Sequence, residues 1–145
     1  MSDKLSRHAL RVRGYHLDGY GHVNNARYLE FMEEGRWGFF DDHPALIKEL
    51  RRVGKAFVVV NLNIDYCKAA LEGDDLVVLT GIISVGERSA VCHHQVIRRR
   101  DSALVAQADL TFVLLDINAN KAAPIEGQVR EALEALTLDK SDFSA

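Results

Sequence analysis

The sequence predicts an α+β domain: one mainly buried helix in an antiparallel sheet of about five strands. An early helical stretch is apolar around most of its circumference, and four long β-type stretches follow it. The breaks between those stretches are too short for parallel crossovers, which need a dozen or more residues. Length and composition agree with one such unit. The chain has 145 residues, 48% of them hydrophobic and 27% charged, and a domain near this size buries roughly 70% of the surface its unfolded chain exposes. Disordered, collagen-like and multidomain readings are excluded. The domain is expected over residues 8–138, with flexible tails at 1–7 and 139–145, where polar residues collect.

In chain order, a short strand is predicted from about His8 to Tyr15. The helix follows over about Asn25 to Phe40, with Asn24 as its N-cap, whose side chain can accept a first-turn N–H. Ala26, Tyr28, Leu29, Phe31, Met32, Trp37, Phe39 and Phe40 go nearly all the way round it, so the sheet should wrap it and Trp37, Phe39 and Phe40 should pack in the core. Pro44–Arg52 reads as a second, shorter helix with Pro in its first turn.

Strands are predicted at Ala56–Lys68, Asp75–Val85, Ser89–Arg99 and Ala103–Asp116, on their Val, Ile, Leu, Thr and Phe content and partial alternation. In the first of them Val58, Val60, Leu62, Ile64 and Tyr66 face one way and Asn61, Asn63 and Asp65 the other. Turns fall at Glu72–Asp75, Gly86–Arg88 and Arg100–Ser102, which makes the last three strands a meander. At about 3.3 Å per residue the strands outreach a helix rising about 1.5 Å per residue, and they can curl around it. Val129, Ala132, Leu133 and Leu136 mark a C-terminal amphipathic helix that caps an open end of the sheet.

The apolar runs Ala56–Val60 and Phe112–Leu115 are far shorter than the stretch of about 20 residues that spans a bilayer. A net charge of -3 gives no overall field for a nucleic acid backbone. The first residues lack an apolar signal segment, and Cys67 and Cys92 are isolated thiols, expected as small buried hydrophobes, so the chain is expected in the cytoplasm. His93 and His94 are neighbours on a strand and point to opposite faces, so they cannot share a metal, and no metal or redox cofactor is expected. Arg98, Arg99 and Arg100 read as a solvated strand edge, and Glu30, Glu33 and Glu34 call for partners such as Arg27 or Arg36.

Tyr15-His-Leu-Asp-Gly-Tyr-Gly-His-Val-Asn-Asn25 is the densest polar segment inside the ordered region. Gly19 and Gly21 allow a tight turn, and Asp18 and His22 sit beside the unpaired N–H groups of a helix N-terminus, a combination suited to a developing oxyanion in acyl transfer. Asp, Asn and Gly before a helix also serve as plain caps, and spacing alone favours that reading.

The string Arg11 to Trp37, with Gly14-Tyr-His-Leu-Asp-Gly-Tyr-Gly-His-Val-Asn-Asn-Ala-Arg-Tyr-Leu-Glu-Phe-Met-Glu-Glu-Gly-Arg36 at its centre, resembles the signature of hotdog-fold acyl-CoA thioesterases, the 4-hydroxybenzoyl-CoA thioesterase-like group. Within that group it is most similar to the bacterial long-chain acyl-CoA thioesterase III branch of fatty-acid degradation. The likeness continues through Ala56–Tyr66, Leu110–Val113 and the terminal helix, covering about residues 9–137. It implies a hotdog fold, a sheet wrapped around one helix. It further implies that Asp18 is the catalytic carboxylate, acting on the thioester as nucleophile or through a water as general base. Asn25 falls where a backbone N–H meets the thioester oxygen. His22 matches a histidine of plant acyl-carrier-protein thioesterases in an Asp-x-Asn-x-His pattern, from which this chain departs because Tyr20 stands in the Asn position. That departure makes His22 an orienting or polarising partner rather than an established base.

By the same resemblance Arg88 and Ser89 match a turn that meets the coenzyme A nucleotide, and Tyr15 is carried as a substrate contact. The implied partners are acyl-CoA and further copies of the chain, as a homodimer or homotetramer with sites at the subunit boundary. Neither nucleic acid nor a membrane span is expected. Thioesters of acyl-carrier protein, aromatic acyl-CoA, and a non-catalytic acyl-CoA-binding role are the alternatives.

Overall fold

A computed structural model describes residues 3–145. Its elements are β1 (Ser6–Arg11), α1 (Asn25–Asp42), α2 (Pro44–Val53), β2 (Lys55–Tyr66), β3 (Asp75–Val85), β4 (Ser89–Arg98), β5 (Ala103–Asp116), β6 (Lys121–Ala123) and α3 (Gly127–Ala135). All strand pairs are antiparallel, in the order β1-β3-β4-β5-β2, and β6 pairs with the end of β5. The expected meander is β3-β4-β5. The sheet has six strands rather than about five, because Lys121–Ala123 returns beside Leu114–Asp116 after a turn in which Asn120 takes a positive φ. The first strand begins and ends earlier than expected: Ser6 starts it, and Gly14–His16 is a 3-10 turn.

α1 lies in the concave face of the sheet. Asn24 caps it as expected, its Oδ1 accepting the Ala26 N–H at 2.9 Å. The helix is buried along one stripe, however, and not all round: Tyr28, Phe31, Met32, Gly35 and Phe39 are inside, while Trp37 is 58% exposed and Phe40 half-buried. A single-layer sheet covers one side of a helix, which leaves Trp37 on the open side. Gly35 sits where the backbone comes nearest the strands. A Cβ there would lie 2.7 Å from both Val78 Cγ1 and Thr80 Oγ1. The far end of α1 is tied to β1 by the Ser6 hydroxyl, which donates to the Asp42 carboxylate. Beyond it, α2 and α3 close the end of the sheet, with Leu46, Leu50, Val129 and Leu133 packed on Phe39 and Ile82.

β2 carries a bulge at Val60, since Val59 pairs with Phe112 and Asn61 with Thr111. The extra residue inverts the alternation expected for this strand. Phe57 and Val59 therefore share the concave side with Leu62 and Ile64, and Val58 and Val60 do not. β2 is an edge strand with Val58, Val59 and Val60 all exposed.

Residues 139–145, expected as a tail, hold a 3-10 turn at Lys140–Asp142 and place Phe143 in the convex-side cluster with Leu79 and Ile97. Gly81 makes room for them, because a Cβ there would lie 2.8 Å from Leu138 Cδ2 and 3.0 Å from Phe143 Cζ. Met1 and Ser2 of the expected N-terminal tail lie outside the described residues.

Arg98 is also unlike its expectation. It is buried, donates to both Asp101 oxygens at 3.0 and 2.7 Å and to the Ala69 carbonyl at 2.9 Å, and so ties the β4–β5 turn to the loop after β2. Arg100 pairs with Asp74 at 3.0 Å. Cys92 is buried and Cys67 exposed. No helix among the described residues is long and apolar enough to cross a membrane.

Gly35→Ala should lower stability by up to about 2 kcal/mol. Overpacking costs ~1–3 kcal/mol and outweighs the roughly 1 kcal/mol that Ala adds to a helix. Urea unfolding, read as a lower midpoint at unchanged slope, checks this.

Candidate active site

The segment before α1 is held in place by its own backbone. Val12 exchanges hydrogen bonds with Gly73 and Asp74, Val23 N–H donates to Ala70 O at 3.0 Å, and Asn24 N–H donates to His16 O at 2.9 Å. His16 is buried, and its Nδ1 accepts the Arg13 N–H at 2.8 Å. Burial first, and Arg27 second, push the His16 pKa below its ordinary value, which keeps the ring neutral and able to accept. Leu17 and Val23 then bridge, so Asp18–His22 forms a small hairpin turn, closed by Asp18 N–H to His22 O at 2.8 Å and completed by Gly21 at φ 78°.

Asp18 is half-buried, and its Oδ1 accepts the N–H groups of Tyr20 at 2.8 Å and His22 at 3.2 Å. The carboxylate is thus positioned by main-chain donors, while Oδ2 has no partner among the described residues. His22 adjoins Asp18 through the backbone. Its ring is exposed and forms no hydrogen bond among the described residues.

At the helix N-terminus the donors are nearly all taken. Asn24 donates to His16, Ala26 to the Asn24 side chain, and Arg27 to the Asn24 carbonyl. Among the described residues the Asn25 N–H is the first-turn donor left without a partner, at the positive end of the α1 dipole. The Asn25 carbonyl accepts from the Tyr66 hydroxyl at 3.2 Å, which fastens this turn to the end of β2. Composition and spacing gave no hint of Tyr66, because the contact joins residues 41 apart in sequence. Tyr15 is 70% exposed, with the Arg27 guanidinium 5.8 Å over its ring. Arg27 in turn pairs with Glu30 at 2.8 Å, and Glu34 approaches His8 at 3.8 Å.

Arg88 and Ser89 are not brought to this loop within one chain. The loop adjoins the start of β3 at Asp74 and Asp75, and Arg88 follows the far end of that strand at Val85, about 33 Å away for 11 residues.

Beside the last third of α1, between helix and sheet, lies a cavity of about 100 Å3 lined by aromatic and aliphatic side chains, among them Phe39, Phe40, Phe57, Ile82 and Phe112. Phe40 stacks on Phe57 at 5.9 Å and Phe57 meets Phe112 edge-on at 4.6 Å. Arg36 and Thr80 also line it. Behind them the fully buried His94 contacts Arg36 Nη1 through Nε2 at 3.1 Å and Thr80 Oγ1 through Nδ1 at 3.0 Å. A guanidinium can only donate, so Nε2 accepts and Nδ1 carries the proton. His94 is held neutral, its pKa pushed down to about 3 by burial first and the Arg36 charge second. Burial likewise pushes the Cys92 thiol up to about 12. His93, on the opposite face, donates from Nδ1 to Asp109 at 2.7 Å.

His94 makes stability depend on pH. The unfolded ring takes up a proton near its ordinary value of 6.5 and the folded one only near 3, so stability is fully present above pH 6.5 and is lost progressively as pH falls through that window. Urea midpoints measured from pH 7 down to pH 4 should fall, and the decline should be shallower in His94→Gln.

Residues 12–133 match the family model described as the thioesterase-like superfamily. The chain is 39% identical over 127 residues to the long-chain acyl-CoA thioesterase FadM of Escherichia coli, covering 88% of this chain and 96% of that one. Its structure is similar to that of YbaW, a probable thioesterase from Escherichia coli, with a TM-score of 0.81 and 37% identity, covering 92% and 99% of the two chains. The fold is also that of a 12:0-ACP thioesterase from Umbellularia californica, with a TM-score of 0.86 at 12% identity over all of this chain and 56% of the other.

Proposed function

The chain belongs to the thioesterase-like superfamily, and on that premise we propose that it hydrolyses acyl-CoA thioesters, long-chain ones foremost, to a free acid and coenzyme A. One observation carries the reading: a carboxylate fixed by two backbone donors stands six residues along one loop from a cap whose neighbouring Asn25 N–H is unpartnered among the described residues. The similarity to a long-chain acyl-CoA thioesterase over 88% of the chain gives the substrate class.

In this mechanism the thioester carbonyl oxygen accepts the Asn25 N–H, and the α1 dipole favours the negative charge that grows there. The free Oδ2 of Asp18 either attacks the carbonyl carbon or takes a proton from a water that does. In the first route the C–S bond breaks as an anhydride with Asp18 forms, the thiolate leaves and is protonated, and water then cleaves the anhydride. In the second, hydroxide adds directly and the thiolate leaves with the proton held by Asp18. Both consume one water and give the same acid and thiol. His22, with a free ring beside the turn, orients water or the leaving sulfur. A non-catalytic carrier of acyl-CoA is disfavoured, since a carboxylate beside the thioester would repel the substrate phosphates and bring such a protein nothing.

The active unit in this reading is a homo-oligomer. β2 leaves three valines and a row of backbone hydrogen-bonding groups uncovered at the sheet edge. Ser89 pairs with Val113, and Val113 with Val58, so Ser89 lies on the Val58 row of the sheet, while the other end of β2 touches Asn25 through Tyr66. Antiparallel pairing of β2 with a second copy sets the Val58 end of one strand against the Tyr66 end of the other. Arg88 and Ser89 of the partner subunit then approach the first copy's helix N-terminus, where the nucleotide of coenzyme A needs a cation. Tyr15 and Arg27 flank the same opening. The two unpaired thiols accord with a cytoplasmic protein.

Thiol release should be measured on a panel of short, long and aromatic acyl-CoAs and on an acyl-carrier-protein thioester. Turnover is expected to be fastest on long-chain acyl-CoA, and Asp18→Asn should lower kcat/KM by at least about 100-fold. Equal rates in both proteins would remove Asp18 from the chemistry, and binding without turnover in either would make the protein a carrier.

A further inference from the structure

Arg36 is out of place in a pocket for a plain hydrocarbon. Arg36 lines the cavity, and the rest of the lining is apolar apart from Thr80 and the Cys92 thiol. No carboxylate lies within 4.0 Å of Arg36 among the described residues, and its one side-chain hydrogen bond there is to the neutral ring of His94. The Glu33 carboxylate acts on it through space, beyond ion-pair distance. Burial keeps the Cys92 thiol protonated, Thr80 is neutral, and Glu33, three residues earlier on α1, is exposed. Burial also lowers the Arg36 pKa from its ordinary value and outweighs the opposing Glu33 charge. Of five N–H donors, one is used by His94.

The position of this cation along the helix is informative. Arg36 follows Asn25 by 11 residues, about 16 Å at ~1.5 Å per residue. An extended chain advances about 3.5 Å per three bonds, so roughly 14 bonds separate a thioester at Asn25 from a group at Arg36. A cavity of about 100 Å3 holds only a few heavy atoms, given that a water takes up about 30 Å3. It is sized for the end of a long chain.

We propose that Arg36, held by His94, whose ring Thr80 orients, is a specificity-determining residue that selects acyl chains carrying an oxygen acceptor, a carboxylate first of all, at the end far from the thioester. This rests on the thioesterase reading and narrows its substrate class. A terminal carboxylate supplies the missing counter-charge and can take two parallel N–H bonds from the guanidinium fork, while the aromatic walls take the last methylenes. A terminal hydroxyl or ketone takes one such bond and is a weaker ligand.

The test separates binding from turnover. Calorimetric affinities of hexadecanedioate, omega-hydroxyhexadecanoate and hexadecanoate are compared in the wild type, Arg36→Met and Arg36→Lys, and kcat/KM is measured on the CoA esters of the same chains. The dioate should bind about tenfold more tightly than hexadecanoate to the wild type, the hydroxy acid should fall between them, Arg36→Met should abolish the preference and Arg36→Lys retain part of it. The kcat/KM ratio should follow the same order. No preference in the wild type, or a preference untouched in Arg36→Met, overturns the proposal. So does a variant whose selectivity is intact while its dimer dissociates, since Arg36 would then pair with a carboxylate of a second copy. If the preference appears and vanishes as stated but no thioester is cleaved, the selectivity stands and the thioesterase reading fails; cleavage without the preference is the converse.

Discussion

Val78 and Thr80 leave room for a helix in the groove of this sheet only where that helix has no side chain. Gly35 provides that point, and the contact fixes both the depth and the rotation of α1. With Gly35 against the strands, Tyr28, Phe31 and Met32 must fill the groove towards the N-terminus and Phe39 towards the C-terminus. Leu29, Glu33, Arg36 and Phe40 then fall on the flank that looks towards β2. The fixed rotation therefore decides which residues line the cavity, and it holds the unpartnered Asn25 N–H at a defined distance from it.

The loop that bears Asp18 is rigid for a related reason. Its donors and acceptors are consumed by neighbours that themselves belong to the sheet: Val12 with Asp74, Val23 with Ala70, Asn24 with His16. A carboxylate that accepts two main-chain N–H bonds needs no counter-ion to stay in place, and its other oxygen has no partner among the described residues. The convex face is organised separately. Phe143 packs on His93, and Lys140 reaches Asp109. Burial works to raise the Asp109 pKa, and hydrogen bonds from Lys140 and His93 outweigh it and hold the carboxyl below its usual range. The C-terminal residues thereby cover part of a face that alternation in β3 and β4 alone would leave apolar and open.

Local chemistry carries far where the signal is short-range. The bounds of the two longest meander strands, the cap at Asn24, the Pro44 helix start and the opposite orientation of His93 and His94 all follow from residues within a few positions of one another. Local chemistry does not reach the places where a single residue, or a distant one, changes the outcome. A single inserted residue at Val60 exchanges the faces of β2, and no composition rule marks that position. Trp37 looked like core because a helix apolar on many sides suggested enclosure, whereas a sheet one layer thick can enclose only one side. Arg98 looked solvated because its partners are a turn residue and a carbonyl 29 positions away.

Taken alone, then, the sequence determined the class of fold, the placement of most elements and the loop that offers a carboxylate beside a helix N-terminus, because periodicity, caps and turns are encoded within a few residues. Only the tertiary structure decided that the Asn25 N–H is the first-turn donor left unpaired among the described residues, that Tyr66 fastens the same residue through its carbonyl, and that Arg36 lines an aromatic cavity with no carboxylate within 4.0 Å of it among the described residues. Whether a donor is satisfied or a charge is compensated depends on groups dozens of positions away, and these are brought within hydrogen-bonding distance only when helix and sheet have packed.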